Sequence, residues 1–331
     1  MDDRCWQSSE IHQAPTIARQ LMKPDLVKSG PTTESQLFPL SVVILARNEA
    51  INIERCVAAV KWCDDIVVVD DGSTDATAEL ARSRGARVVQ HSFVNFAEQR
   101  NWAMDHAGLK NEWVLHLDAD EVVTDSLSRE LQLQLRPALA SSFTIVAFRM
   151  CRKTMFQGTW LKHTDGFPVW IMRLVRIGRA RFEDCGHGEV AVPAVDGKLG
   201  TIREPFLHFA FSKGMEDWIN RHNRYSTREA ILERDSLQNV SWARFFSRDR
   251  AIRRTTLRAL SRRLPCRPWF RFIYQYFVKF GFLDGRAGWT FSCMMATYEG
   301  WIKMKRIEFE SQPIERPCVS NGNQNFDRLQ R

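Results

Sequence analysis

Three short apolar runs, each ended by a polar or charged cluster, limit what this chain can fold into. LSVVILA (40–46) leads into Arg47-Asn48-Glu49, DIVVVDD (65–71) ends on Asp70-Asp71-Gly72, and EWVLHLDAD (112–120) ends on Asp118-Ala119-Asp120. The runs are too short for typical helices, rich in β-branched residues and lacking polar alternation, as expected of strands covered on both faces. Between them lie stretches with helical spacing: Ile53, Val57 and Val60 on one face, then 74–84 with Gly85 as a stop, then 95–107. ARVVQH (86–91) and SFTIVAFRM (142–150) read as two more strands. The expected fold class is therefore α/β: a Rossmann-like, mostly parallel sheet flanked by helices, with a C-terminal helical extension. In such sheets the ligand crevice lies beyond the carboxyl ends of the strands. All three polar clusters fall at such ends.

The first cluster pair has two readings. At the end of a strand, Asp70 and Asp71 can accept hydrogen bonds from a nucleobase N–H or a ribose hydroxyl. The same residues also fit a plain capped turn, with Gly72 at the bend, Ser73 or Thr74 capping the next helix and Asp75 in its first turn. Asp118 and Asp120 sit two apart and project to one side if the strand continues, so they can hold a divalent cation that bridges a diphosphate. A solvated loop is the alternative for that pair. Neither GxGxxG nor GxxxxGK[ST] occurs, which argues against dinucleotide and P-loop chemistry and for a phosphate site built from carboxylates and metal.

Taken together, ILARNEA (44–50), VVVDDGSTD (67–75), AEQRNWA (97–103) and LHLDADE (115–121) resemble the family 2 glycosyltransferases in order and spacing. The resemblance implies a GT-A fold, a nucleoside-diphosphate sugar donor and a Mn or Mg ion. It implies that Ala46, Arg47 and Glu49 line the nucleotide pocket, with Asp70 and Asp71 at the base or ribose. Arg100 and Asn101 would lie near the nucleotide, Asp118 at the ribose or sugar, and Asp120 on the metal. Relatives that build surface polysaccharide often carry a His-Glu pair where this chain has His187-Gly188-Glu189, preceded by Glu183-Asp184. Glu189 is the preferred base, then Asp184, with His187 beside them. His208 falls where similar enzymes place a further metal ligand, and a nitrogen donor suits Mn; a core histidine is the other reading. Trp160, Asp165, Gly166 and Arg173 fall where acceptor and leaving group should lie, and Arg173 fits a phosphate partner or a surface salt bridge.

Charge is concentrated in one place. Ser241–Arg271 holds ten Arg and one Asp, a net of +9 against +8 for the whole chain of 331 residues, so the remainder sums to about −1. Such a block usually meets phosphate. Trp, Phe and Leu interleave the arginines at helical spacing, and two aromatic stretches follow, 269–283 and 289–302. This suits an anionic membrane surface better than nucleic acid, for which no recognition module is visible; packing on the catalytic domain or a homodimer interface is the alternative. No secretory signal and no spanning run is evident, so the expected location is the cytoplasmic face of the inner membrane. The domain reading is a mobile arm (1–38), a transferase domain (39–235), a basic aromatic helical region (236–310) and a disordered tail (311–331). The expected activity is inverting transfer of a sugar to a glycan or lipid-linked acceptor in lipopolysaccharide or surface-polysaccharide synthesis. A sugar-phosphate nucleotidyltransferase and a catalytically silent scaffold are the competing readings.

Overall fold

In the computed structural model, residues 37–137, 144–184, 189–193, 197–237 and 266–311 are described. Almost all of the expected arm, most of the arginine-rich segment, the tail beyond residue 311 and His187 lie outside the described residues.

The first half follows the alternation. β1 (Phe38–Ala46), α1 (Ile53–Ala59), β2 (Cys63–Asp70), α2 (Thr77–Ser83), β3 (Arg87–Gln90), α3 (Phe96–His106) and β4 (Trp113–Asp118) build four parallel strands in the order β3-β2-β1-β4. β1 is central. Leu40, Val42 and Ile44 face the α1 side with Ile53 and Val57, while Val43 and Leu45 face the opposite side with Ala103 of α3. A strand packed on both faces has no room for polar alternation, which is why LSVVILA is apolar throughout. Each fully buried Leu, Ile or Val there contributes roughly 1.5–3 kcal/mol.

Beyond β4 the sheet becomes mixed. β5 (Glu121–Val122) and α4 (Asp125–Leu135) precede a long strand β6 (Ile145–Phe156), then come β7 (Thr159–Trp160), β8 (Val169–Arg176), β9 (Ala180–Asp184), β10 (Glu189–Pro193), β11 (Lys198–Thr201) and β12 (Phe206–His208). β8 inserts antiparallel between β4 and β6, and β12 joins β6 to β5. The run expected over 142–150 is thus β6, which is longer and lies one strand further from β4 than the alternation suggests. β9 and β10 form a separate hairpin. The C-terminal extension comprises α5 (Gly214–Leu237), α6 (Arg267–Ile273), a π-helical turn (Tyr274–Val278), a 3-10 turn (Gly281–Asp284) and α7 (Gly285–Ser311). It joins the sheet side through a cluster of Phe156, Leu161, Ala287 and Phe291, and α5 meets α7 around Ala230, Tyr298 and Ile302.

Asp65, 2% exposed at the start of β2, ties the amino-terminal edge of the sheet together. It accepts from Ser41 Oγ (2.7 Å), Lys110 N (2.9 Å) and Arg87 Nη2 (2.9 Å). Burial pushes its pKa up, but these donors more than offset it, and the net shift is downward. Asp65→Ala is expected to cost about 2–4 kcal/mol, read as a lower urea midpoint at pH 7. A carboxylate with a depressed folded pKa stabilises fully above its unfolded value of about 3.9, and that stability fades as pH falls through the lower folded value. Wild type and variant curves should therefore approach each other only below about pH 4.

Candidate functional site

The carboxyl ends of β2, β1 and β4 are neighbours by register. Ala46 pairs with Asp70 and Leu45 with Asp118. The next residues are tied to the same place: Asp71 N donates to Ala46 O (3.0 Å) and Ala119 N to Leu45 O (3.2 Å). Two of the polar clusters thus flank the end of β1, from which the third departs.

The loop after β1 is held by the loop after β2. Asn48 sits at φ 52°, a left-handed conformation that Asn tolerates. Its N donates to Ser73 Oγ (2.9 Å), and its Oδ1 accepts from Thr74 N (2.8 Å). Glu49 N reaches Thr77 Oγ1 (2.7 Å) and Ala50 N reaches Asp75 Oδ2 (3.1 Å). The expectation that Ser73 or Thr74 caps the next helix is therefore corrected. α2 begins at Thr77, and the polar side chains of 73–77 serve the neighbouring loop. Asp70 is buried and accepts from Ser73 N (3.2 Å) and the Ser73 hydroxyl. Asp71 accepts from Arg47 Nη1 (2.8 Å) and Phe93 N (2.8 Å), which ties three loops.

Glu49 accepts from Asn52 Nδ2 (2.7 Å) and pairs with Lys213 Nζ at 2.5 Å. Burial pushes the Glu49 carboxyl up, against the opposing pull of Asn52 and Lys213. Lys213 also donates to Arg47 O (3.1 Å), and Asn52 reaches Ser212 Oγ (2.8 Å). The chain just before α5 is thereby docked on the loop after β1. Sequence reasoning did not single out Lys213; its only local signal is a lysine beside Gly214 at a helix start.

Deeper in, two guanidiniums bind three carboxylates. Arg100, from α3 and wholly buried, donates to Asp118 Oδ1 (2.7 Å) and Glu189 Oε1 (2.9 Å). Arg173, from β8, donates to Asp118 Oδ2 (2.7 Å), Glu121 Oε1 (2.9 Å) and Glu189 Oε1 (2.8 Å). Arg173 is 6% exposed, so the surface salt bridge is corrected to a buried one. Burial opposes the charge on Asp118, but Arg173 and Arg100 hold it well below the usual carboxylate range. Burial likewise opposes the Arg173 charge, and Asp118, Glu121 and Glu189 push its pKa well up. Arg100 Nη1 and Arg173 Nε are buried without a hydrogen-bond partner, as are both ring nitrogens of His116 beside them. Burial, then Arg100 and Arg173, drive the His116 pKa far down, so this imidazole is neutral. Glu121, 1% exposed, was not foreseen; the run LDADE offers no sign of which acid turns inward.

Asp120 and His208 form a second pair. β12 runs antiparallel to β5 with His208 opposite Glu121, and Phe209 N donates to Asp120 O (2.9 Å). His208 Nε2 lies 3.6 Å from Asp120 Oδ2, while His208 Nδ1 is buried without a partner. Burial pushes the imidazole pKa down, and the Asp120 carboxylate more than reverses it. Burial raises Asp120 in turn, and His208 pulls it below the usual value. One oxygen and one nitrogen donor would suit a divalent ion only if its remaining ligands were supplied by other groups. Both Asp118 oxygens are occupied by guanidiniums. Among the described residues no group of three or more His, Cys, Asp and Glu side chains is gathered for a metal.

The remaining expected residues lie on other elements. Asn101 uses its amide on the backbone of Phe182, donating to O (2.9 Å) and accepting from N (3.0 Å), which fastens α3 to β9. Asp184 lies opposite Glu189 in the β9–β10 hairpin, with Arg228 Nη2 at 3.8 Å. Trp160 lies beneath Lys153 Nζ (4.6 Å) and Lys162 Nζ (5.5 Å). Asp165 accepts from Thr154 Oγ1 (2.6 Å).

A model of the glycosyl transferase family 2 matches residues 41–186. The chain is 32% identical over 206 residues to the lipopolysaccharide core biosynthesis glycosyltransferase LpsC of Rhizobium meliloti, covering 60% of this chain and 73% of that protein. It is 36% identical over 201 residues to an uncharacterized glycosyltransferase of Rickettsia typhi, covering 58% of this chain and 66% of that one. Among solved structures, glucosyl-3-phosphoglycerate synthase from Mycobacterium tuberculosis, in complex with Mn2+, UDP and glucosyl-3-phosphoglycerate, aligns at TM-score 0.29 and 24% identity. That alignment covers 39% of this chain and 47% of the synthase.

Removing one cation from the buried network leaves carboxylates uncompensated. Arg173→Ala is expected to lower the unfolding free energy by about 3–5 kcal/mol. Arg47→Ala, at a side chain 67% exposed, should change it by less than about 1 kcal/mol. Chemical denaturation of both variants checks the contrast.

Proposed function

The chain belongs to glycosyl transferase family 2, and from that membership we propose an inverting transfer from a nucleoside-diphosphate sugar to a hydroxyl of a glycan or lipid-linked acceptor. The pathway proposed is assembly of lipopolysaccharide core or surface polysaccharide, which the relative named for core biosynthesis supports. The observation that carries this reading is the meeting of three strand ends, where Asp71 leaves β2, and Asp118 and Asp120 leave β4, on either side of the end of β1. We assign the transferase domain to 39–235 and a membrane-associating region to 236–310, at the cytoplasmic face of the membrane. Among the described residues, no helix is long and apolar enough to cross a membrane.

In this mechanism, the loop after β1 and Asp71 receive the nucleoside, with Arg47 fixing the Asp71 carboxylate. Asp120 and His208 would hold the Mn or Mg ion, which when bound neutralises charge on the departing diphosphate. Asp118, with both oxygens fixed by Arg100 and Arg173, presents a rigid acidic wall to the sugar rather than a metal ligand. The acceptor oxygen forms the new bond to the anomeric carbon as the bond to the diphosphate breaks on the opposite side. Its proton passes to a carboxylate, for which Glu189 is the candidate and Asp184 the second. Both hydrogen bonds to Glu189 fall on Oε1, so its orientation is set before the acceptor arrives.

Asp120→Ala is expected to reduce transfer on the order of 100-fold or more. It should also abolish any Mn-dependent thermal stabilisation by the matching nucleoside diphosphate, an effect of about 2.7 kcal/mol when ligand is at a hundred times its Kd. Release of nucleoside diphosphate supports transfer, and release of pyrophosphate instead overturns it. A wild-type protein that no nucleotide or nucleotide sugar stabilises, with or without Mn, would also count against the donor site.

A further inference from the structure

We infer that the outer face of α6 and the turns after it is a docking surface for an anionic lipid bilayer. The face is built at helical spacing. Trp269, Phe270, Ile273, Tyr274, Phe277 and Val278 recur at i, i+1, i+4, i+5, i+8 and i+9, and all are exposed, from 45% at Ile273 to 69% at Trp269. Phe280, Phe282, Leu283 and Trp289 prolong the surface, each at least 43% exposed. Scattered apolar residues are ordinary on a protein surface, but a contiguous set of this size marks an interaction site.

Charge selects the occupant. Between Cys266 and Trp289 the cations are Arg267, Arg271, Lys279 and Arg286, and the one acid is Asp284. Arg267 is largely buried and paired with Glu233 and Glu299, which leaves Arg271, Lys279 and Arg286 to set the sign of the face. Asp284 is buried and receives Thr164 N (2.7 Å) and His163 N (3.0 Å), so it offers no negative charge to the outside. The preceding residues from Ser241 add eight further arginines to one aspartate. Aromatic side chains rimmed by cations, with no exposed acid, fit the headgroup layer of an anionic membrane. The same uniform sign disfavours a second copy of this face across a two-fold axis.

The surface is also built rigidly onto the transferase. Gln275 Nε2 donates to Thr164 O (3.0 Å), so both the π turn and Asp284 grip residues 163–164. The 3-10 turn approaches α7 so closely that a Cβ on Gly288 would lie 2.0 Å from Gly281 O. Residues 163–164 belong to the β7–β8 connection that carries Asp165 and follows Trp160. A bilayer held by the aromatic face would thus keep a fixed relation to the loop expected to meet the acceptor.

This surface rests on the lipid-linked acceptor reading, but its test needs neither donor nor acceptor. The full chain is sedimented with phosphatidylcholine vesicles, with and without roughly one-third phosphatidylglycerol. Wild type should bind the anionic vesicles and bind the neutral ones weakly. The triple variant Trp269→Ser, Phe277→Ser, Val278→Ser should lose roughly tenfold or more of that binding while keeping its melting temperature and its response to nucleotide. A second variant, Phe270→Ser with Leu283→Ser, should show the same loss and guards against misfolding of the first. Failure of wild type to bind anionic vesicles overturns the inference. So does undiminished binding by both variants, which would leave the arginine segment as the sole anchor, or a wild-type dimer that the variants convert to monomer. Lost vesicle binding with intact nucleotide response separates this surface from the transferase reading.

Discussion

Two buried guanidiniums hold the centre of this molecule together. Arg100 comes from the helix before β4 and Arg173 from the antiparallel strand beside it, and both grasp Asp118 and Glu189. Without these cations, Asp118, Glu121 and Glu189 could not share a water-poor region, because burying unpaired carboxylates costs several kcal/mol each. With them, β4, β8, α3 and the β9–β10 hairpin are locked at one point. The position of Asp120, two residues after Asp118, follows from that lock. The structural lock and the proposed sugar and metal contacts thus lie on neighbouring residues, and a substitution at Asp118 would disturb both.

The parallel half of the fold was legible because its signals are local. Apolar runs without alternation mark strands covered on both faces, and the polar residues that end them mark the carboxyl ends of those strands. The second half was less legible. β8 enters antiparallel between β4 and β6, and β12 lies parallel to β6 and antiparallel to β5, each without a helix immediately before it to signal its place, so their sheet neighbours cannot be read from order alone. Side-chain partners follow the same division. Glu121 and Lys213 were missed because their partners lie 52 and 164 residues away, as Arg173 and Glu49, and nothing in the neighbouring residues discloses them. Ser73 and Thr74 misled for the opposite reason. They satisfy local capping rules, yet Asn48, across the loop, takes their hydrogen bonds.

The arginine and asparagine of the AEQRNWA run show how neighbouring residues of one motif serve different partners. Asn101 faces β9 and fastens the helix through a pair of backbone bonds, while Arg100 turns inward to the carboxylates. Adjacent residues on a helix diverge by about 100°. One therefore reaches the charge network and the other the hairpin that carries Glu189. The helix acts as a rigid spacer between the strand ends and the candidate base.

The contact between Lys213 and Glu49 has a consequence for how such chains can be recombined. The family match ends at residue 186, yet the loop after β1 is clasped by a residue well past that limit. A chimera spliced after the matched region would carry the loop after β1 from one parent and its clasp from another. Exchange of segments between such chains must therefore move Glu49, Asn52, Ser212 and Lys213 as one unit, with the splice placed inside α5 rather than at residue 186.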